Sequence, residues 1–194
     1  MIFLSINLNS VEAKNFNFKF DNKESKISFI IYTSIHPVET KSEKFKGFIN
    51  ISTKTSNTIE SVNGLLEIDT KSIVSNIFLL DSRMHSETLN VKKYPKIRFK
   101  VNNIHIMNNR IEIDNTALIK IIGDLTIREI TKEVEIPFKI RVSNDKESAI
   151  LDGSHDLDIN DYNIPDPSIL IAKVKPIIKL TFKLKTRFIT LKQN

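Results

Sequence analysis

Four histidines are the first residues to test for metal or acid–base chemistry, and their spacing supports neither. His36, His85, His105 and His155 never fall within four residues of one another, so the chain holds no local zinc-ligating pair. His105, between Ile104 and Ile106, is expected at the surface or edge of a strand. There is no cysteine, which removes disulfides, thiolate nucleophiles, iron–sulfur clusters and thiolate zinc sites together. Asp156, Asp158 and Asp161 briefly resemble a calcium loop. Asp161, however, stands at the sixth position, where the turn needs Gly, and Pro167 at the twelfth, where a bidentate Glu is required. They are read as outward polar residues and a turn. Asp81 and Glu87 are the nearest pair of candidate catalytic carboxylates. No G-x-S-x-G nucleophile elbow, G-x-x-x-x-G-K loop or G-x-G-x-x-G turn occurs. These residues lead to the expectation of no enzyme, no metal and no covalent cofactor.

The elements that could position a site are strands. Ile27, Phe29, Ile31 and Thr33 alternate with Lys26, Ser28, Ile30 and Tyr32. The same period of two recurs in Val62, Gly64, Leu66 and Ile68, and in Ile97, Phe99 and Val101. It is clearest in Val134, Ile136, Phe138, Ile140 and Val142, whose neighbours are Glu133, Glu135, Pro137, Lys139 and Arg141. At the C-terminal side Ile178, Leu180, Phe182 and Leu184 repeat it against Lys179, Thr181, Lys183 and Lys185. One apolar and one wet face is the signature of antiparallel sheet with water on one side. Asn108-Asn109 and Asn144-Asp145-Lys146 carry turn chemistry. Tyr162–Pro167 is expected to be loop, and the unalternating stretch 81–91 a short helix or ordered loop. This pattern is all-β, and periodicity leaves barrel and sandwich both open.

The chain has 194 residues, is 40% hydrophobic and 27% charged, and carries a formal charge of +6, as a globular protein would. Such a surplus favours phosphates, of nucleic acid or of lipid headgroups, or simply keeps the protein in solution. Nucleic acid is disfavoured because Phe29, Phe99, Phe138 and Phe182 fall opposite the basic residues, not among them. No run of 18 apolar residues could form a spanning helix. Residues 1–13 are expected to be a shortened export signal. Ile2–Leu8 is its apolar run and Val11-Glu12-Ala13 its cleavage site. No Lys or Arg precedes Lys14, as a start codon placed too late would produce; the alternative is a first strand from Met1. Residues 14–194 are then one domain in the periplasm.

Three segments carry a resemblance. Asp81-Ser82-Arg83-Met84-His85 through Leu89, Val91, Lys93-Tyr94-Pro95, Ile97 and Phe99 is the first. Gly123-Asp124-Leu125-Thr126-Ile127 with Thr131-Lys132-Glu133-Val134 is the second, and Asp161-Tyr162-Asn163-Ile164 the third. In this order and spacing, over about Phe18 to Leu184, they resemble the YceI-like family of bacterial envelope lipid-binding proteins. The sequence departs from the family pattern at Arg83 (usually His), Glu129 (often Gly), Asn163 (Gly) and Ile159 (often Arg).

The resemblance implies an extended lipocalin-like antiparallel β-barrel of about eight strands. Its interior channel would hold a long apolar chain of polyisoprenoid, isoprenoid quinone or fatty amide type, carried or sequestered in the periplasm. The apolar faces of the alternating strands then supply the expected lining: Phe29, Ile31, Leu66, Ile68, Phe99, Val101, Ile119, Ile121, Phe138, Ile140, Phe182 and Leu184. The rim is expected at Arg83, Met84, His85, Leu89 and Tyr94, where a lipid head would meet water. The alternative for Arg83 is a local ion pair with Asp81. The competing reading of the whole is an envelope interaction or stress protein whose barrel is filled by its own side chains. Contact with the envelope membrane and a homodimer are both left open.

Overall fold

The computed structural model describes residues 14–42, 44–55, 58–107, 116–144, 147–168 and 172–188. The export segment 1–13, the Asn108-Asn109 turn and residues 145–146 lie outside them. Among these residues eleven strands run in the order β1 (Lys14–Phe20), β2 (Lys26–Thr33), β3 (Val38–Ser42), β4 (Phe45–Thr55), β5 (Thr58–Asp69) and β6 (Ile73–Val74). They continue as β7 (Lys96–Ile106), β8 (Thr116–Ile127), β9 (Ile130–Val142), β10 (Ser148–Asp158) and β11 (Val174–Phe188). Between β6 and β7 lies α1 (Phe78–Arg83), continued by one wider turn over Met84–Thr88. The stretch expected as helix or loop is therefore a helix that begins three residues earlier.

All pairings are antiparallel, and eight strands close a ring: β1-β4-β5-β7-β8-β9-β10-β11 and back to β1. β11 makes this closure with its last residues, Phe188 opposite Phe18 and Thr186 opposite Phe20. Along the rest of the same edge, Val174 to Lys183, it pairs instead with β2. β2, β3 and β6 thus extend the wall beyond the ring, toward the end that carries α1. Charged side chains cross the seam. Arg187 reaches Asp21 at 2.6 Å and Glu24 at 3.3 Å, and Lys185 reaches Glu24 at 2.6 Å.

The alternating sequences produce this shape because closure gives every strand an inside and an outside. On β8, Thr116, Ile119, Ile121, Gly123, Leu125 and Ile127 are buried; on β5, Gly64, Leu66 and Ile68 are. Glycines make room for rings inside. A methyl group on Gly123 would lie 2.8 Å from the Phe99 ring, and one on Gly153 only 2.4 Å from the Phe138 ring. Gly153 is in register with Phe138 on β9 and with Phe182 on β11. Strands two apart are roughly 9.5 Å from each other, yet the two phenyl centroids approach to 5.8 Å. Both rings lean into the gap that the missing side chain leaves.

Candidate binding cavity

Inside the barrel the structure has a cavity walled almost wholly by aliphatic and phenyl groups. Its atom-free space comes to about 1480 Å³, the open mouth included, but the centre of a water molecule can occupy only about 120 Å³ of it. Space that leaves a small sphere so little freedom is narrow, of a width suited to a hydrocarbon chain. Among the lining residues, Thr40 and Thr88 are the polar ones and Arg83 the one that carries charge. The Thr40 hydroxyl is already engaged, donating to the Phe29 carbonyl at 3.3 Å.

Of the lining expected from sequence, Phe29, Ile31, Leu66, Ile68, Phe99, Val101, Ile121, Phe138, Phe182 and Leu184 face this cavity. Ile119 and Ile140 do not. On β8 the cavity reaches Leu125 and Ile121, and on β9 Ile136 and Phe138. Ile119 and Ile140 are the next inward positions of those strands, away from α1. Ile119 is buried opposite Phe138, and Ile140 packs half-buried against the core. On β9 the cavity ends at Phe138, while on β10 and β11 it reaches Leu151 and Leu184, one inward position past the Phe138–Phe182 contact; the two isoleucines pack beyond the last lining position of their own strands.

At the other end α1 supplies the mouth. Leu80, Arg83, Met84, Thr88 and Leu89 line the cavity there, with Ile164 and Pro167 from the loop after β10. Arg83 pairs with Glu87 at 3.0 Å, an i,i+4 contact on the outer side of the turn. Its partner is not Asp81, whose Oδ1 accepts from both the backbone N–H and the hydroxyl of Ser75 at 2.7 Å. The two candidate catalytic carboxylates are therefore tied to different partners.

His85 and Tyr94 are absent from the cavity wall. The His85 Nε2 lies 2.7 Å from the Ile73 carbonyl; a carbonyl only accepts, so this nitrogen carries the proton, and the contact ties the turn to β6. Tyr94 instead sits under cations, with Lys93 Nζ at 4.9 Å and the Arg128 guanidinium at 5.3 Å from its ring centre. Arg128 in turn donates to the Asn163 carbonyl at 2.9 Å, and Lys132 pairs with Asp161. The three sequence motifs thus meet in one corner outside the cavity. Arg128 and Asn163 there have left-handed backbones, φ 55° and 49°, which Asn tolerates well.

Two titratable groups shifted by burial lie outside the cavity wall. The Tyr162 phenol is 2% exposed and is pushed up to about 12 by burial and by neighbouring Asp161. Burial lowers His155 below the ordinary histidine range. Neither residue lines the cavity, and no group of three or more His, Asp or Glu among the described residues could hold a metal.

Sequence reasoning missed lining from Phe20, Ile49, Leu80, Leu125, Ile136 and Leu157. Alternation would have found Leu125 and Ile136, which continue the series of Ile121 and Phe138. Leu80 lies on a helix, and only its tertiary placement turns it inward.

Comparison with known proteins agrees with this architecture. The YceI-like domain family matches residues 18–186. The BcnA protein of Burkholderia cenocepacia superposes with a TM-score of 0.69 at 18% identity, covering 86% of this chain and 98% of its own. A polyisoprenoid-binding domain from Saccharophagus degradans, implicated in plant cell wall breakdown, gives 0.66 at 12%, covering 88% and 97%. The YceI protein of Campylobacter jejuni gives 0.61 at 15%, covering 77% and 84%. At these identities the solved structures speak to fold. No curated protein sequence matches the chain.

Proposed function

The chain belongs to the YceI-like domain family, and on that premise we propose that it binds a long-chain lipid, of isoprenoid type, within the barrel. One observation carries the reading: a narrow interior cavity whose wall, apart from two threonines and Arg83 at its mouth, offers only apolar groups. Such a wall takes hydrocarbon out of water at roughly 0.8 kcal/mol per methylene and gives a polar ligand almost nothing to bond. The polyisoprenoid-binding neighbour supports the isoprenoid class over straight acyl chains. The barrel filled by its own side chains loses ground to the same cavity. Binding here needs no bond made or broken, so the protein is a carrier or store and not an enzyme. Its place is the periplasm, a proposal supported by the apolar run Ile2–Leu8 and the small residues Val11 and Ala13.

Native mass spectrometry of protein purified without denaturant, followed by organic extraction, tests the reading. The expected result is a bound species lost on extraction and regained with an isoprenoid quinone or polyprenol. Protein that emerges empty and takes up neither overturns it.

A further inference from the structure

We propose that Ile77, Phe78 and Leu79 form a membrane-docking knob beside the cavity mouth, which enters the surface of an anionic bilayer so that lipid passes between membrane and barrel. The inference rests on the lipid-binding reading and adds to it a partner and the residues that meet it.

These three side chains are 48%, 87% and 73% exposed. Consecutive helical residues point about 100° apart, so a run of three cannot share the one face that packs on the barrel. The next residue, Leu80, does turn inward and lines the cavity, as do Arg83 and Met84. Cavity wall and exposed apolar knob are thus two sides of one short helix.

The knob is held out by a built device. Asn76 turns the chain in the left-handed region, φ 64°. The Asp81 carboxylate accepts from the Ser75 backbone and hydroxyl, and the Ser75 hydroxyl accepts from the Ile77 N–H at 3.1 Å. A second exposed apolar residue, Ile35 at 63%, stands at the same end. It follows Ser34, whose N–H donates to the Lys173 carbonyl at 2.8 Å and whose hydroxyl accepts from the Lys173 N–H at 3.1 Å. Lys173 precedes Val174, which also lines the cavity.

Bulky apolar side chains clustered on a water-facing tip mark an interaction surface. Three features select a bilayer as the occupant. The cavity's cargo is soluble only in membranes. The mouth and the knob share a helix. Exposed Lys92 borders Phe78 across a shallow groove on a chain of charge +6, which matches anionic headgroups.

The chain has no tryptophan, so Phe78→Trp gives a single reporter at a site where size is unconstrained. With vesicles of phosphatidylethanolamine and phosphatidylglycerol, its emission is expected to shift to the blue. The double variant Phe78→Ser with Leu79→Ser is expected to melt as the parent does. It should partition onto the vesicles roughly a hundredfold more weakly, about tenfold for each apolar group withheld. Its uptake of polyprenol from detergent should be unchanged, and its uptake from vesicles slowed.

An unshifted emission, or a double variant that co-sediments as strongly as the parent, overturns the proposal. So does light scattering in which the double variant converts a dimer to a monomer before any vesicle is added, since the occupant is then a second copy of this chain. A blue shift in a protein that takes up no polyprenol supports docking and counts against the carrier reading alone.

Discussion

Replacing Phe138 with alanine should lengthen the chain that the barrel accepts. The ring of Phe138, met by that of Phe182 at 5.8 Å over Gly153, stands at the last level the cavity reaches on β9. The next inward position is Ile140, two residues along, and at about 3.4 Å per residue that step is roughly 7 Å. An isoprene unit adds four chain bonds of about 1.5 Å, or roughly 5 Å of extended length. Removing the ring therefore admits about one more five-carbon unit, whose burial contributes at most about 4 kcal/mol at 0.8 per carbon. Phe→Ala in a closed core costs about 3–5 kcal/mol. Here the low end applies, because the ring already borders open space. At about 2–4 °C per kcal/mol for a chain of this size, the melting temperature should fall by roughly 6–12 °C. The assay is competition among polyprenols of graded length, scored as the length bound best. Ile119→Ala is the control: it lies beyond the last lining position of its strand, so it should destabilise without moving that optimum. An unchanged optimum in Phe138→Ala, with the melting temperature lowered as expected, would show that the Phe138 ring does not stop the chain.

Gly153→Ala attacks the same ring by crowding it. The new methyl group meets the Phe138 ring and, at 2.9 Å, the Pro137 carbonyl oxygen, so calorimetry should show a loss of about 1–3 kcal/mol, recovered in part in the double variant with Phe138→Leu; no recovery would place the whole clash in the backbone. Arg83→Ala should weaken binding of a phosphorylated polyprenol by tenfold or more, the value of about one charge-assisted hydrogen bond, and that of the neutral alcohol far less. Added salt should shrink the difference, and equal losses insensitive to salt would leave Arg83 a structural role only. At the closing seam, the backbone N–H of Lys23 and the guanidinium of Arg187 hold Asp21 below its ordinary carboxylate value of 3.8. A depressed folded value means that its contribution is present above that pH and is lost as pH falls through the folded value. Arg187→Ala should therefore lower the melting temperature at pH 7 more than at pH 3; equal drops at both would show that the seam charges do not contribute.

Much of the barrel was legible in the sequence because a strand's inside and outside are written two residues apart. Ile136 and Phe138 between Glu135, Pro137 and Lys139 announce their face with no knowledge of any partner. The left-handed turn at Asn163 is equally local. The rim was legible only in part. Met84 and Leu89 line the mouth as expected, but His85 and Tyr94, drawn from the same stretch, are turned by the Ile73 carbonyl and by Arg128 to other tasks. A helix shows its neighbours to different sides every residue, and which side meets the barrel is decided by contacts from elsewhere in the chain.

What the sequence by itself determined is the all-β class and the apolar faces of the alternating strands, since both depend on residue type and spacing within a dozen positions. Tertiary structure alone decided closure and depth. Whether the sheet becomes a barrel or a sandwich turns on the pairing of Phe18 with Phe188, two residues separated by nearly the whole chain, whose contact no local period records. On β9 the cavity ends between Phe138 and Ile140, two members of one alternating series, and the Phe138 and Phe182 rings meet because Gly153 stands in register between them. Register is a property of strands brought together. A single strand, however clear its alternation, carries no mark of the level at which its neighbour's missing side chain will let two rings meet.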